Sequence, residues 1–368
     1  MKKEDLLAVL RLKKCAQIGD TISKKLISLV GSPSGIFEEK SIRLQKIDGI
    51  GERLISYLSD ERNLSSAERE LEFILNQNID YSYFLDADYP EYLKHCPDGP
   101  VLFFKRGNIN FDKRPVIAIV GTRNMTLYGR DFCKELIQHL KDYNPIIVSG
   151  FAYGVDICAH QEAIKHNLQT IAVLASGLQL TYPKAHIKYV SEVEDNGGFI
   201  SEFYQFDQPF RENFLRRNRI IAGLSQATVV IESGEKGGSL VTADIANSYN
   251  RDVFAVPGRV TDMFSKGCNS LIKQNRAIAL TDPDDVVQML NWDIEPNTAK
   301  KPIQKQLFVE LSDEQQSIVD FLNENGKELL DIISLKTSIP IYKLSPLLLE
   351  LELKGIVKPL PGKQFELC

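Results

Sequence analysis

The sequence predicts an α/β protein: a mostly parallel sheet flanked by helices, preceded by a helical region and followed by a small winged-helix unit. Two patterns carry the central prediction. From about Tyr83 to Leu290, short β-branched runs alternate with amphipathic helical runs, as in successive βαβ units. Most of these runs also end on a glycine-bearing loop that opens the next helix. A third pattern sets off the C-terminal unit, since Asp293 to Lys305 is polar, carries Pro296 and Pro302, and reads as a linker.

The elements follow in order. Leu6, Leu7, Leu10 and Leu12, then Ile22, Leu26, Ile27 and Leu29, recur at helical spacing, so residues 1–65 read as helical. Two similar signals interrupt them, Gln17-Ile18-Gly19-Asp20 and Ile47-Asp48-Gly49-Ile50-Gly51. Each places glycine in a tight turn between helices, where a positive φ is expected. The sheet domain spans residues 66–292. Its expected strands are Val116–Val120, Ile146–Ser149, Thr170–Leu174, Gly198–Ser201, Ala227–Ile231, Val253–Val256 and Ala277–Leu280. Helices are expected over Arg130–Leu140 and Ser239–Tyr249. After a linker over 293–306, residues 307–368 show a Ser312/Gln315 capping box with the apolar stripe Ile318, Val319, Leu322. Two more helices and a hairpin around Pro361-Gly362 complete a winged-helix order. Its third helix carries few cations (Lys343, Lys354) among Leu347, Leu348, Leu349 and Leu351, which reads as a packing or protein-interaction module.

Composition bounds the function. The 368 residues are 43% hydrophobic and 25% charged, a globular balance large enough for several domains. No apolar run reaches the ~18 residues of a membrane span, and no secretory signal is visible. The six cysteines are scattered without a CxxC pair, so neither a disulfide framework nor a zinc site is expected, and a reducing, cytoplasmic setting fits. The net charge of −5 confines any nucleic-acid binding to a local cationic patch.

Six loops are candidates for chemistry. The first, Gly121-Thr122-Arg123, ends a strand and precedes a helix, where anions are favoured and an arginine offers a planar donor fork. It is neither a GxGxxG dinucleotide loop nor a GxxxxGK[ST] loop. The second begins at Ser149-Gly150. Within it Asp156 and His160 stand one helical turn apart, read as an internal hydrogen bond rather than an acid–base pair, because no nucleophile accompanies them. The third is Ser176-Gly177, with Lys184 on the same rim. The fourth is Phe214-Leu215-Arg216-Arg217-Asn218-Arg219, where cations cluster beside an aromatic that could stack on a base. Not all of these arginines can face one way, and one or two are candidates for core salt bridges. The fifth is Gly237-Gly238-Ser239. The sixth includes Asn269 and Ser270, which cap a helix or face the rim. Together the loops describe a long anion-binding rim without an evident acid, base, metal or cofactor site.

These residues resemble the DNA-processing protein DprA (Smf) family over nearly the whole chain. The resemblance rests on Val120 to Arg123, Ser149 to His160, Ser176 to Leu178 with Tyr182-Pro183-Lys184, Ser201-Glu202, and Arg217 to Gly223. It continues through Gly238 to Ala243, Arg251 to Gly258 and Gly267 to Ile272. It implies an extended Rossmann fold that is not an enzyme. Such a protein binds and protects single-stranded DNA, helps load the RecA recombinase in natural transformation, and forms a homodimer through that domain. It places a phosphate-contacting arginine at Arg123, a rim lysine at Lys184 and an arginine-rich helix start at Arg217 and Arg219. The N-terminal region resembles a helix-hairpin-helix or SAM-like module. Four positions depart from the family pattern: Leu215 for proline, His186 for asparagine, and Asn250 and Asn275 for glycine. Two rivals are weighed against this reading. A nucleotide phosphoribohydrolase-like Rossmann enzyme would need an acid in the helix after Gly237-Gly238, where the nearest is Asp244. A duplex-DNA regulator would have to act through the winged helix.

Overall fold

A computed structural model describes residues 1–292, 311–354, 356–360 and 364–367. The expected linker and the Pro361-Gly362 turn lie outside the described residues. The chain divides into two compact units, Met1–Ile294 and Glu295–Cys368.

The larger unit is built on a nine-stranded sheet. Its strands are β1 (Asp80–Tyr83), β2 (Leu102–Gly107), β3 (Val116–Val120), β4 (Ile146–Ser149), β5 (Thr170–Val173), β6 (Gly197–Ser201), β7 (Ala227–Val230), β8 (Asp252–Ala255) and β9 (Ile278–Ala279). Their spatial order is β1-β2-β6-β5-β4-β3-β7-β8-β9. From β6 to β9 all pairs are parallel, while β1 and β2 add an antiparallel margin. The sequence reading missed these two strands. β1 is short and half exposed, and β2 grades from buried to exposed, so neither shows the uniform apolar run of a central parallel strand.

Side chains on β3 alternate between two cores. Val116, Ala118 and Val120 face a layer that includes the helix Arg211–Leu224 and the N-terminal helices. Ile117 and Ile119 face the helices Leu127–Leu140 and Val155–Lys165. Both faces are covered, so the central strands are buried along their length.

The N-terminal region is helical, as expected. The helix Glu61–Asn76 crosses the expected boundary at residue 65 and packs on the helix Lys3–Lys14. The two glycine signals differ. Gly49 has φ +82°, as a tight turn requires, whereas Gly19 is extended at φ −80° and the left-handed residue nearby is Gln17 at +61°. Asn250 and Asn275, which stand where the family usually has glycine, both adopt φ near +55°. Asparagine tolerates that region better than other side chains, so the departures keep the loop shapes.

The smaller unit has helices Asp313–Asn325, Leu330–Thr337 and Ile341–Leu353 and a three-stranded sheet of β10 (Glu328–Leu329), β12 (Gln364–Leu367) and β11 (Val357–Leu360), in that order. This is the winged-helix arrangement. The Ser312/Gln315 capping box forms on both sides. Leu344, Leu348 and Leu351 fill the core with Ile318, Leu322 and Ile333, while Tyr342 and Leu349 stay exposed. Among the described residues no single helix is long and apolar enough to cross a membrane.

Candidate nucleic-acid interface

β4 and β7 flank β3 on opposite sides, so the chain order reverses beside β3. In open α/β sheets, ligands collect outside the carboxyl ends of strands at such a point. Here the crevice is a pocket of about 310 Å³. Arg123, Phe214, Arg217 and Gly237–Ser239 are among its lining residues.

Three loops are knitted together to make it. The Thr122 N–H donates to the carbonyl of Glu232 (2.8 Å), and the Thr122 carbonyl accepts from Val155 N–H (3.2 Å). Gly121 has no room for a side chain, because a Cβ there would lie 2.4 Å from Val155 Cγ2. Gly154 has φ +77°, and a Cβ there would lie 2.2 Å from the Thr122 carbonyl. These close approaches hold the Arg123 loop over the start of the helix Val155–Lys165. Arg123 itself is exposed, with its guanidinium 5.4 Å from the Phe214 ring centroid. Phe214 also meets Tyr182 edge-on at 5.7 Å. The helix Gly238–Ser248 opens on the pocket without a side-chain cap, and while Leu240 N–H donates to the Gly237 carbonyl (3.2 Å), the N–H groups of Gly238 and Ser239 are left for a ligand or water.

The arginine cluster splits. Arg217 lies beneath the pocket, 4% exposed, and bonds the Val173 carbonyl. A Cβ on Gly150 would lie 2.1 Å from its guanidinium, so that glycine makes room for the arginine. Burial pulls the Arg217 pKa down to about 10, with Asp156 opposing and Arg123 adding to the shift. Its Nε has no partner among the described residues. Asn218 lines the pocket beside it. Arg216 turns away, half exposed, toward Phe203 and Glu202. Arg219, expected at the DNA face, is instead buried in an ion-pair cluster with Asp20 (3.0 Å) and Glu202. The cause is helical geometry. Phe214, Arg217, Asn218 and Ile221 share the pocket side, and residues 216 and 219 fall on another.

Other expected rim residues prove to be supports. Ser149 is fully buried and donates to the Ile119 carbonyl (2.6 Å). Ser176 is 1% exposed, and a Cβ on Gly177 would lie 2.0 Å from the Tyr204 carbonyl, so this pair packs against the 204–207 loop. Asn269 clamps Gly258, accepting from its N–H (3.1 Å) and donating to its carbonyl (2.9 Å). Ser270 bonds Gln274 one turn on. None of these five lines the pocket. Ser239 lines it but sends its hydroxyl to Ser233 (2.9 Å). Lys184 stays exposed, outside the pocket lining.

The expected Asp156–His160 bond does not form. Asp156 accepts from the N–H groups of Gly150 (3.2 Å) and Ala152 (3.3 Å). Burial raises its pKa, while Arg217 and those N–H groups oppose the rise. His160 pairs with Thr170 (2.7 Å) instead. Asp156 found nearer partners in the loop before its own helix, and His160 in Thr170 at the start of β5. His186, the departure from asparagine, sets Nδ1 3.0 Å from the Phe151 carbonyl and so braces a residue held at φ +58°. Sequence reading also missed Glu232, which follows β7 by two residues and accepts from Thr126 N–H (2.8 Å) and the Thr126 hydroxyl. A lone glutamate just after an apolar strand run was the signal available in the sequence. Asp244, the acid a phosphoribohydrolase-like site would need, pairs with Arg276. Among the described residues no group of three or more acidic, histidine or cysteine side chains could hold a metal ion.

Comparison with known proteins agrees with this fold. The profile of DNA recombination-mediator protein A matches residues 80–291, and the DprA winged helix domain matches residues 304–363. The chain is 30% identical over 380 residues to Protein Smf of Synechocystis, covering 95% of each. It is 38% identical over 200 residues to DNA processing protein DprA of Streptococcus pneumoniae, covering 54% of this chain and 71% of that one. The solved S. pneumoniae DprA superposes with a TM-score of 0.65 at 32% identity, over 78% of this chain and 98% of that one. A Helicobacter pylori DNA processing protein A, solved in a study of its single-stranded DNA binding mode, superposes at 0.52 with 29% identity, over 58% and 96%. A Rossmann-type sheet with its cationic crevice beside β3, a winged-helix unit, and these matches along most of the chain place it in the DprA/Smf family of DNA-processing proteins.

Proposed function

We propose that this protein binds single-stranded DNA without catalysing a reaction on it, seating a backbone phosphate in the pocket between the ends of β3 and β7. The donor-rich lining carries the reading. Exposed Arg123, buried Arg217 in the pocket floor, and the uncapped start of the helix Gly238–Ser248 converge there. The one carboxylate in the lining, Asp156, is held by backbone N–H groups and faces Arg217. Phe214 and Tyr182 offer aromatic faces at the mouth, suited to unpaired bases. The H. pylori relative's single-stranded DNA binding mode supports the same reading. By family resemblance, the bound strand is incoming DNA in natural transformation. It is protected and passed to the RecA recombinase by a homodimer formed through the sheet domain.

The test is binding of a labelled single-stranded oligonucleotide across a salt series, with matched duplex as competitor. Wild type should bind tightly, lose affinity with salt and prefer the single strand. Arg123→Ala should weaken binding and reduce the salt slope by about one, the loss of one phosphate contact. Unchanged binding by that variant would move the site elsewhere on the chain. No binding by wild type would overturn the proposal.

A further inference from the structure

A second and larger cavity, about 1090 Å³, adjoins the phosphate pocket along the ends of β7 and β8. The two share one connecting segment. Glu232 lines the second cavity, and the next residues, Ser233 and Gly234, line the first. Ser233 N–H donates to the Phe264 carbonyl (2.7 Å), which fastens the 257–265 loop to that shared segment.

The mouth of this cavity is apolar and exposed. Tyr128 is 51% exposed, Leu127 72% and Met263 69%, and Val260 beside them is 82% exposed. Three large apolar side chains this open around one cavity, with Val260 next to them in sequence, are more than scattered surface residues require. Tyr128 is also held, since its hydroxyl donates to the Pro257 carbonyl (2.8 Å). A ring fixed at its far end but half open to solvent suits stacking. The charged groups that line the cavity are Glu232, Arg259 and Asp262. Glu232 has both oxygens committed to Thr126, so it presents no free carboxylate to a polyanion. Arg259 offsets the charge of Asp262, and Lys266 opens the following helix.

We propose that this groove takes bases of the same single strand whose phosphate occupies the neighbouring pocket, with Tyr128 as the stacking surface and Met263 packing beside it. The proposal rests on the single-stranded DNA reading above. Continuity argues for this occupant: a strand held at Arg123 and Gly238 has the groove as its next neighbour across the 232–234 segment. Chemistry argues for it too. Duplex DNA hides base faces inside its own stack, so an apolar groove beside a phosphate site rewards only an unpaired strand. The pocket supplies affinity that salt screens, and the groove supplies preference for single strands over duplex.

The experiment uses the full chain, a labelled oligothymidine, and an abasic strand of equal length as a probe with phosphates but no bases. Wild type should bind oligothymidine more tightly than the abasic strand. Tyr128→Ala and Met263→Ala should each weaken oligothymidine binding, Tyr128→Ala by about tenfold, as expected for one lost stacking contact. Neither should change abasic binding or the salt slope, because no counterion is released at an apolar contact. Arg123→Ala should instead weaken both probes and flatten the slope. Both substituted side chains are exposed, and thermal unfolding would check that the variants remain folded. Wild-type affinity for oligothymidine in both variants would overturn the proposal, as would equal losses on both probes. A change in sedimentation with unchanged DNA binding would also overturn it and make the groove a contact between copies of the chain. Failure of wild type to bind either strand would sink the underlying function itself, and that outcome is read separately.

Discussion

Arg217 and Arg123 point at one pocket from opposite environments, and the difference assigns their work. Arg123 is solvated and can meet a phosphate. Arg217 is buried against Asp156 and the Gly150 loop, so it holds the pocket's floor and biases the field from below. His160 shows the same logic of burial. The Thr170 hydroxyl donates to the Ile147 carbonyl (3.1 Å), so His160 Nδ1 must donate to Thr170, and Nε2 has no partner among the described residues. Burial, with smaller contributions from His186 and Arg217, lowers its pKa from 6.5 to about 3. In that window the unfolded chain binds a proton that the folded chain refuses, so stability falls as pH falls from 6.5 toward 3. His160→Asn can still reach Thr170 but cannot be protonated. Its unfolding free energy, followed by denaturant titration at several pH values, should fall less steeply below 6.5 than that of wild type.

The helix Arg211–Leu224 is the element that joins the site to the rest of the unit. One side carries Phe214, Arg217 and Asn218 into the pocket. Another sends Arg219 to Glu202 at the end of β6, to Asp20 on the N-terminal helix Asp20–Val30, and to the Asp98 carbonyl. Burial alone would lower the Arg219 pKa, but Glu202, Asp20 and Asp98 outweigh it and raise the value. Removing one partner of a buried ion cluster strands the others, at a cost of about 3–5 kcal/mol. Arg219→Ala should therefore destabilise the larger unit by that order in chemical unfolding. It should also expose the N-terminal helices to limited proteolysis. Arg216→Ala, whose side chain is half exposed, should change stability little.

At the scale of the whole molecule, the cores are separate. Ile318, Leu322, Ile333, Leu344, Leu348 and Leu351 pack within the smaller unit, and among the described residues the sheet's two cores draw on residues up to Trp292. A chain ended after Trp292 should keep a cooperative melting transition close to that of the larger unit in the full chain, measured by circular dichroism. If the pocket is the main DNA site, it should also keep most of its single-strand affinity. The net charge of −5 makes the local arrangement matter more, because an acidic surface leaves the cationic crevice as the place where a polyanion can settle.

The sequence by itself determined the parallel sheet, because uniformly apolar β-branched runs such as Val116–Val120 are specified locally and can be buried only on two faces. It also located the loops after β3, β4 and β7, since glycines at strand ends mark close approaches whatever packs around them. The capping box at Ser312 was legible for the same reason: both partners lie within one turn. What only the tertiary structure decided was direction. A run of arginines does not say which one meets Asp20, a residue almost two hundred positions away in sequence, and so Arg219 could not be told from Arg217. Asp156 and His160 were spaced to pair, yet backbone N–H groups of the loop and Thr170 on the next strand lay nearer. Local spacing sets which contacts are possible. Competition among partners brought together by the fold sets which are made, and here it left Arg123, Phe214 and the start of the helix Gly238–Ser248 at the open crevice beside β3.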